Sequence, residues 1–494
     1  HAARQRLYAL NRLSNTITIV STATESVLGE IATGTFDPTP ASIRNGRGFL
    51  YDARLSGNGT QSCASCHIDG DRDELAWDLG DPAGLMQQVT QPNPLGGPPQ
   101  TLNMHPMKGP MTTQTLRGIT ANVPLHWRGD RADFNAFNGA FVALMGGTQI
   151  TTPDMNAFRD FINTIAFEPN PHQNLDRTMP ASFPPGDPNA GNPNAGRNTY
   201  LNQPYQPGLT CNSCHTLTPG PFGTNGTNNL IIPAGALQTS QDVKVPQLRN
   251  VYQKRFFVRS ATAVSLSGFG LVHDGLDPDL FTFLSRPVFG SFAMDTTVKR
   301  NLSAFMMCLD TGSAPAVGFT RSIRAANLAG AGPAWTTLQS QAAAGSIDLV
   351  IHADIDGERQ ALLYRSATND YVSDRSGVGP FTRTQLESRI TAGTATLAVM
   401  GVPPGSGPRL SIDRNLNSVP DGDEPMPRLD VRLVATVPEL AWPAAHASLV
   451  LESADSLAPP DWRPLTNARS VVGPVVKVPD PTVLPSRFYR LRKP

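Results

Sequence analysis

The chain is poor in cysteine, in charge and in long apolar runs. Five cysteines among 494 residues are too few for the dense disulfide framework of a small secreted domain. No run of about 18 apolar residues occurs, so no transmembrane helix is expected. Charged residues make up 16%, and 40 basic side chains balance 40 acidic ones. That neutrality argues against nucleic acid or an anionic membrane surface as a partner. The chain is rich instead in glycine and proline, 43 and 45 of them, which implies short helices and long connections. Its length implies two to four domains.

Four of the five cysteines fall in two strings, CASCH at Cys63–His67 and CNSCH at Cys211–His215. Cys-x-x-Cys-His is the attachment signature of c-type haem. Each thiol adds to one vinyl group of the porphyrin, and the next imidazole becomes the proximal iron ligand. A four-cysteine zinc site usually keeps its pairs about 15–20 residues apart, whereas these pairs are far separated. A pair of disulfides explains the thiols and leaves both histidines without a role. That rival reading makes the chain a secreted binding protein without haem. The expectation is two covalent haem c groups, attached at Cys63, Cys66, Cys211 and Cys214, with His67 and His215 as proximal ligands. Cys308, in the apolar helical run AFMMCLD, reads as a buried, inert thiol. Haem ligation of this kind is done outside the cytoplasm, so a bacterial periplasmic or extracellular location is expected. The start, His1-Ala2-Ala3-Arg4, shows no export signal and reads as a mature or truncated piece.

The expected fold is multidomain: two mainly α-helical cytochrome c-like domains, a β-rich N-terminal segment and a small C-terminal β-sandwich module. Residues 1–38 read as two or three strands, with Ser14-Asn15 as a turn; NRLSNTITIV resembles the last blade of a surface-layer-type β-propeller. Residues 39–180 and 190–312 are the two haem segments, separated by the linker PPGDPNAGNPNAG. Each opens on a glycine-arginine helical lead-in (IRNGRGFLYD, NAGRNTYLNQ) and later carries an aromatic-rich helical stretch, 132–145 and 298–309. Residues 313–426 form a mixed β region with a hairpin at Asp356-Gly357. Residues 427–494 form the C-terminal β module.

The string GRGFLYDARLSGNGTQSCASCH, followed by TQTLRGITANVPLHWRGDRADF, resembles bacterial di-haem cytochrome c peroxidases, a family that includes the methylamine-utilisation di-haem enzymes. KVPQLRNVY and GFGLVHDG continue the resemblance to about residue 312. It implies two c-type domains packed about an interface, one haem taking electrons from a small donor protein and the other meeting hydrogen peroxide. Two departures stand out. The family's distal carboxylate after its "WDGR" segment is missing, since no Asp or Glu lies between Asp133 and Asp154. Its distal histidine after the first motif is missing from DRDELAWDLGDPAG. The expected function is therefore electron transfer between a donor and an acceptor, the donor a small protein or quinol-linked. Peroxide reduction, or oxidase or oxygenase chemistry at the first haem, is the alternative, with His105, His126 and Arg128 as catalytic candidates.

The loop NMHPMKGPMTTQT offers His105, Met107 and Met111 as distal ligands of the first haem. By resemblance, His273 lies near the second porphyrin edge and Met294 is its sixth ligand. Arg117 and Arg249, each in an LRG or LRN string, are candidates to pair with haem propionates. Asp413, Asn415, Asn417, Asp421 and Glu424, with the carbonyl of Val419, follow the oxygen spacing of an EF-hand calcium loop. Ser418 stands where that loop has glycine. A structural calcium is expected there.

Overall fold

The computed structural model describes the chain apart from residues 34–36, 80–84, 92–97, 99, 105–108, 218, 221–222, 225, 234–240, 255–261, 263–269, 425–427, 445–446, 448, 458–460, 474, 483–485 and 493–494. Two compact units emerge: residues 39–372 with 380–408, and residues 1–38 with 373–379 and 409–494.

The larger unit contains two helical lobes built on one plan. In the first, helix α1 (Ala41–Tyr51) crosses helix α2 (Thr152–Ile162). Thr151 caps α2 by accepting from the Asp154 amide at 3.3 Å, and a proline occupies the first turn, where its missing N–H is harmless. Met155, Phe158, Phe161 and Ile162 then fall on one face and bury against Leu50 and Phe141. In the second lobe α3 (Pro193–Asn202) crosses α4 (Thr296–Met307), and Leu302, Phe305 and Met306 bury against Tyr200. Both crossings depend on a glycine. A β-carbon at Gly46 would lie 2.5 Å from Phe161 Cβ and overlap the Ala157 carbonyl. One at Gly196 would lie 2.9 Å from Phe305 Cβ and overlap the Asn301 carbonyl.

The stretch 132–145 is not the long helix that its aromatic spacing suggests. It forms a 3₁₀ segment, Phe134–Gly139, and one α-turn, Ala140–Ala143. The Asn138 amide explains the difference: it donates to the Ile150 carbonyl and accepts from the Ile150 amide, at 2.9 and 3.0 Å. Gly146, at φ 66°, then turns the chain. The partner of α4 in the plan is α2.

Residues 313–408 build a five-stranded sheet in the order 320–323, 395–402, 348–355, 358–365, 370–373. Its hairpin turns at Asp356 and Gly357, with φ 54° and 83°, as a two-residue type I′ loop requires. The sheet carries helices Leu328–Ala343 and Arg383–Thr391. In the smaller unit, Arg6–Asn11, Thr16–Ser21 and Ser26–Ala32 form an antiparallel meander. Two further antiparallel sheets, of four and three strands, contribute to one core of Leu440, Trp442, Leu451, Leu465, Val476 and Val478.

Candidate functional site

Both Cys-x-x-Cys-His strings fold alike. Cys63–Ser65 is a 3₁₀ turn and Cys211–Cys214 an α-turn, each closed by a histidine amide donating to the first cysteine's carbonyl at 2.9 Å. Ser62 with Ser65 and Thr210 with Ser213 form capping boxes, so the residues around each motif help to set its turn. The five cysteines are free thiols, so neither pair is a disulfide. Burial pushes the Cys63 and Cys211 thiols up to about 11, the opposite of the low-pKa thiolate of a redox Cys-x-x-Cys.

The two histidines present what a haem iron needs. His67 Nδ1 faces the Asp71 carbonyl at 3.3 Å. His215 Nδ1 faces the carbonyls of Gly226 and Pro246 at 3.0 and 3.1 Å. A carbonyl can only accept, so Nδ1 carries the proton and Nε2 keeps its lone pair for a metal. Burial holds both imidazoles below the usual histidine range, in the neutral form that ligates. Tyr200 of α3 donates its hydroxyl to the His215 carbonyl, tying the second motif to its lobe core. Free thiols, oriented imidazoles and aromatic cores together fit a covalently attached haem in each lobe.

The lobes meet through their post-motif loops in a reciprocal pattern. The Thr112 amide donates to the His273 carbonyl, and the Lys244 amide to the Trp127 carbonyl, both at 2.7 Å. Trp127 and His273 occupy matching places, each inside a loop closed by a bridge (Leu125 with Arg131, Leu271 with Asp277). Their rings pack edge to face with centroids 6.5 Å apart. Arg249, at 0% exposure, donates to the Gly118 carbonyl at 2.7 Å and lies over the Phe167 ring. Lys244 donates its ammonium to the Asn122 carbonyl. Arg117 pairs with Glu168 at 2.6 Å and faces Asp71 at 3.5 Å.

His126 is the candidate that the fold brings to the first site. It lies near enough to His67 to influence its titration. Its Nδ1 pairs with Asp130 at 2.8 Å, and its ring packs edge-on against Phe137. Burial holds the imidazole below the usual histidine range despite Asp130. Arg128 pairs with the same Asp130 and donates to Gln241 at 3.3 Å. Asp130 escaped the sequence reading, although its spacing four residues beyond His126 was a usable signal.

Other candidates fare differently. His105 and Met107 lie outside the described residues. Met111 pairs in a two-residue strand with Trp77. Met294 is 87% exposed at the end of the short helix Ser291–Met294. Cys308 is buried, its thiol pushed up to about 12, as an inert core thiol should be.

In the loop at 413–424, Asn415 and Asn417 both donate to Glu424 Oε1 at 2.6 Å, and Arg414 holds Glu424 Oε2 at 2.8 Å. Asp413 accepts from the amides of Asn417 and Ser418. The donor set is all oxygen and suits calcium. Yet the arginine competes for Glu424, and among the described residues no three His, Cys, Asp or Glu side chains are grouped as a metal site.

Among the described residues no helix is long and apolar enough to cross a membrane. No curated protein matches the chain. Among solved structures, a hydrazine synthase of Kuenenia stuttgartiensis is 15% identical, over 55% of this chain and 88% of that one, with a TM-score of 0.37. A MauG-like protein associated with microbial copper homeostasis is 14% identical over 57% and 92%, with a TM-score of 0.31. The diheme peroxidase BthA of Burkholderia thailandensis is 14% identical over 57% and 89%, with a TM-score of 0.30. The segment 40–159, which holds α1, the first motif and His126, matches the family described as di-haem cytochrome c peroxidase.

Proposed function

We propose that the chain is an exported di-haem c-type cytochrome that transfers electrons between a donor and an acceptor. When bound, the haems supply one-electron redox chemistry. Cys63, Cys66 and His67 would hold the first, and Cys211, Cys214 and His215 the second. The observation that carries this reading is the reciprocal junction between the lobes. It locks the loops that follow both motifs together and puts the aromatic rings of Trp127 and His273 in contact. The chain's part is to fix two redox sites at constant separation in a low-dielectric interior. A small electron-donor protein or a quinol-linked donor is the matching partner. Pyridine haemochrome analysis tests the reading: two thioether-linked haems per chain are expected, and their absence overturns it.

A second reading, peroxide reduction at the first haem, draws on the His126–Asp130 pair. Hydrogen peroxide takes two electrons and two protons to give two waters. A proton must leave one oxygen and arrive at the other. With Nδ1 held by Asp130, His126 Nε2 is free to carry it, standing in for the family's missing carboxylate. Electron paramagnetic resonance separates the readings. A high-spin ferric first site with peroxide turnover supports the peroxidase. Two low-spin sites without turnover support electron transfer alone.

We also propose calcium at 413–424, where it would displace Arg414 from Glu424. Oxygen-only donors support it. A thermal midpoint that calcium does not raise and a chelator does not lower would remove the proposal.

A further inference from the structure

Three hydrogen-bond donors near the junction of the two lobes meet no acceptor among the described residues. Arg72 follows the first motif, and its side chain is 7% exposed. Its two terminal nitrogens reach Gln253, Nη2 at 3.0 Å to the carbonyl and Nη1 at 3.5 Å to Oε1. Its Nε is buried and has no acceptor, and neither has the buried hydroxyl of Tyr252. Lys254 is the third. Its ammonium lies 5.4 Å from the Trp127 ring centroid, and no carboxylate among the described residues meets it. Arg72 acts electrostatically on both Tyr252 and Lys254. Loss of solvent takes the Lys254 ammonium down to about 8 and pushes the Tyr252 hydroxyl up to about 12. Asp71, also near Tyr252, already faces Arg117.

The nearest anions serve the cluster poorly: Glu74 lies 3.8 Å from Arg72 Nη2 and is 43% exposed, and Asp71 and Glu168, near Tyr252, face Arg117, so a buried carboxylate here is favourable. We propose that Arg72, Tyr252 and Lys254 form a carboxylate seat where the lobes meet, and that its occupant is a propionate of a haem held by this chain. This rests on the di-haem reading above. The seat is additional to the propionate contacts expected from sequence at Arg117 and Arg249, whose guanidinium groups reach Glu168 and the Gly118 carbonyl. The seat also has an electronic consequence. A fixed ammonium beside a haem favours the ferrous state, and the same charge over Trp127 makes that indole harder to oxidise. Lys254 further lines a cavity of about 340 Å³ whose other walls include Phe183, Val251, Leu271, Leu280 and Met307. A small carboxylate from solution is therefore the other source that a test must separate.

The test uses haem-loaded protein with carbon-13-labelled propionates, as wild type and as Tyr252→Phe, Lys254→Met and Lys254→Arg. Redox-difference infrared spectra should show the labelled carboxylate band displaced in Tyr252→Phe and Lys254→Met. Lys254→Met should also shift the ferric-to-ferrous ratio of one haem toward ferric, about tenfold at fixed applied potential or about 59 mV for one electron. Lys254→Arg should restore both. Tyr252→Phe keeps its ring in the core and so reports even if Lys254→Met fails to fold. Unchanged bands in the folded variants, with full haem content, overturn the seat. Wild-type potentials that follow added acetate, with no such response in Lys254→Met, assign the seat to a solution carboxylate and overturn the propionate. Absence of a haemochrome overturns the di-haem reading itself, and the propionate with it.

Discussion

His126 concentrates the functional question at the residue scale. If it moves the peroxide proton, His126→Gln should lower peroxide turnover by about 10²–10⁴-fold while haem content stays at the wild-type level. Its pH dependence has a definite sign. Burial holds the folded-state pKa below the unfolded value near 6.5, so the neutral base is present at pH 6.5 and above. Turnover should be flat there and fall as pH drops through the folded value. The same shift means that protonation favours the unfolded chain, so this group's contribution to stability is lost as pH falls below about 6.5. A turnover profile that rises toward acid would contradict the assignment. Attachment is tested separately. Cys211→Ala combined with Cys214→Ala should halve the covalent haem that stains on a denaturing gel. The cysteine strings were readable in sequence because their chemistry needs adjacent residues. The His126–Asp130 pair, by contrast, took its meaning from His67, more than fifty residues earlier in the chain.

At the scale of elements, the helix crossings explain why each lobe opens on a glycine-bearing helix. Gly46→Ala and Gly196→Ala each force a methyl into a facing backbone carbonyl. Overpacking of this kind costs about 1–3 kcal/mol, so the thermal midpoint should fall by several degrees in either variant. Gly48→Ala, at a position with open space around it, should leave the midpoint unchanged or raise it. The lead-in helices and the hairpin at Asp356-Gly357 were legible because periodicity and turn chemistry are local. The stretch 132–145 was not. Its aromatic spacing suits a helix, but Asn138 bonds to Ile150 across a turn, and nothing in the local pattern announces that partner.

For the larger unit as a whole, Arg249 joins the lobes. Its guanidinium donates to the Gly118 carbonyl across the junction and stacks on Phe167. Arg249→Gln should cost about 1.5–3 kcal/mol, the range for hydrogen bonds from charged groups, seen as a lower denaturant midpoint. Trp127→Ala, which removes the ring between the matching loops, should slow electron equilibration between the two sites without changing haem content. Equal rates in variant and wild type would mean that the Trp127–His273 contact is structural only.

The sequence by itself determined the two Cys-x-x-Cys-His strings, the paired lead-in helices and the resemblance to the di-haem family, because each is written in neighbouring residues. The tertiary structure alone decided which side chains share a site. It set His126 beside Asp130 and His67, aligned Trp127 with His273, and gathered Lys254 with a buried Arg72 Nε and Tyr252 hydroxyl that meet no acceptor among the described residues. These groupings arise where two lobes dock. Burial and the reach of a charge depend on distance through space, which the order of residues along the chain does not encode.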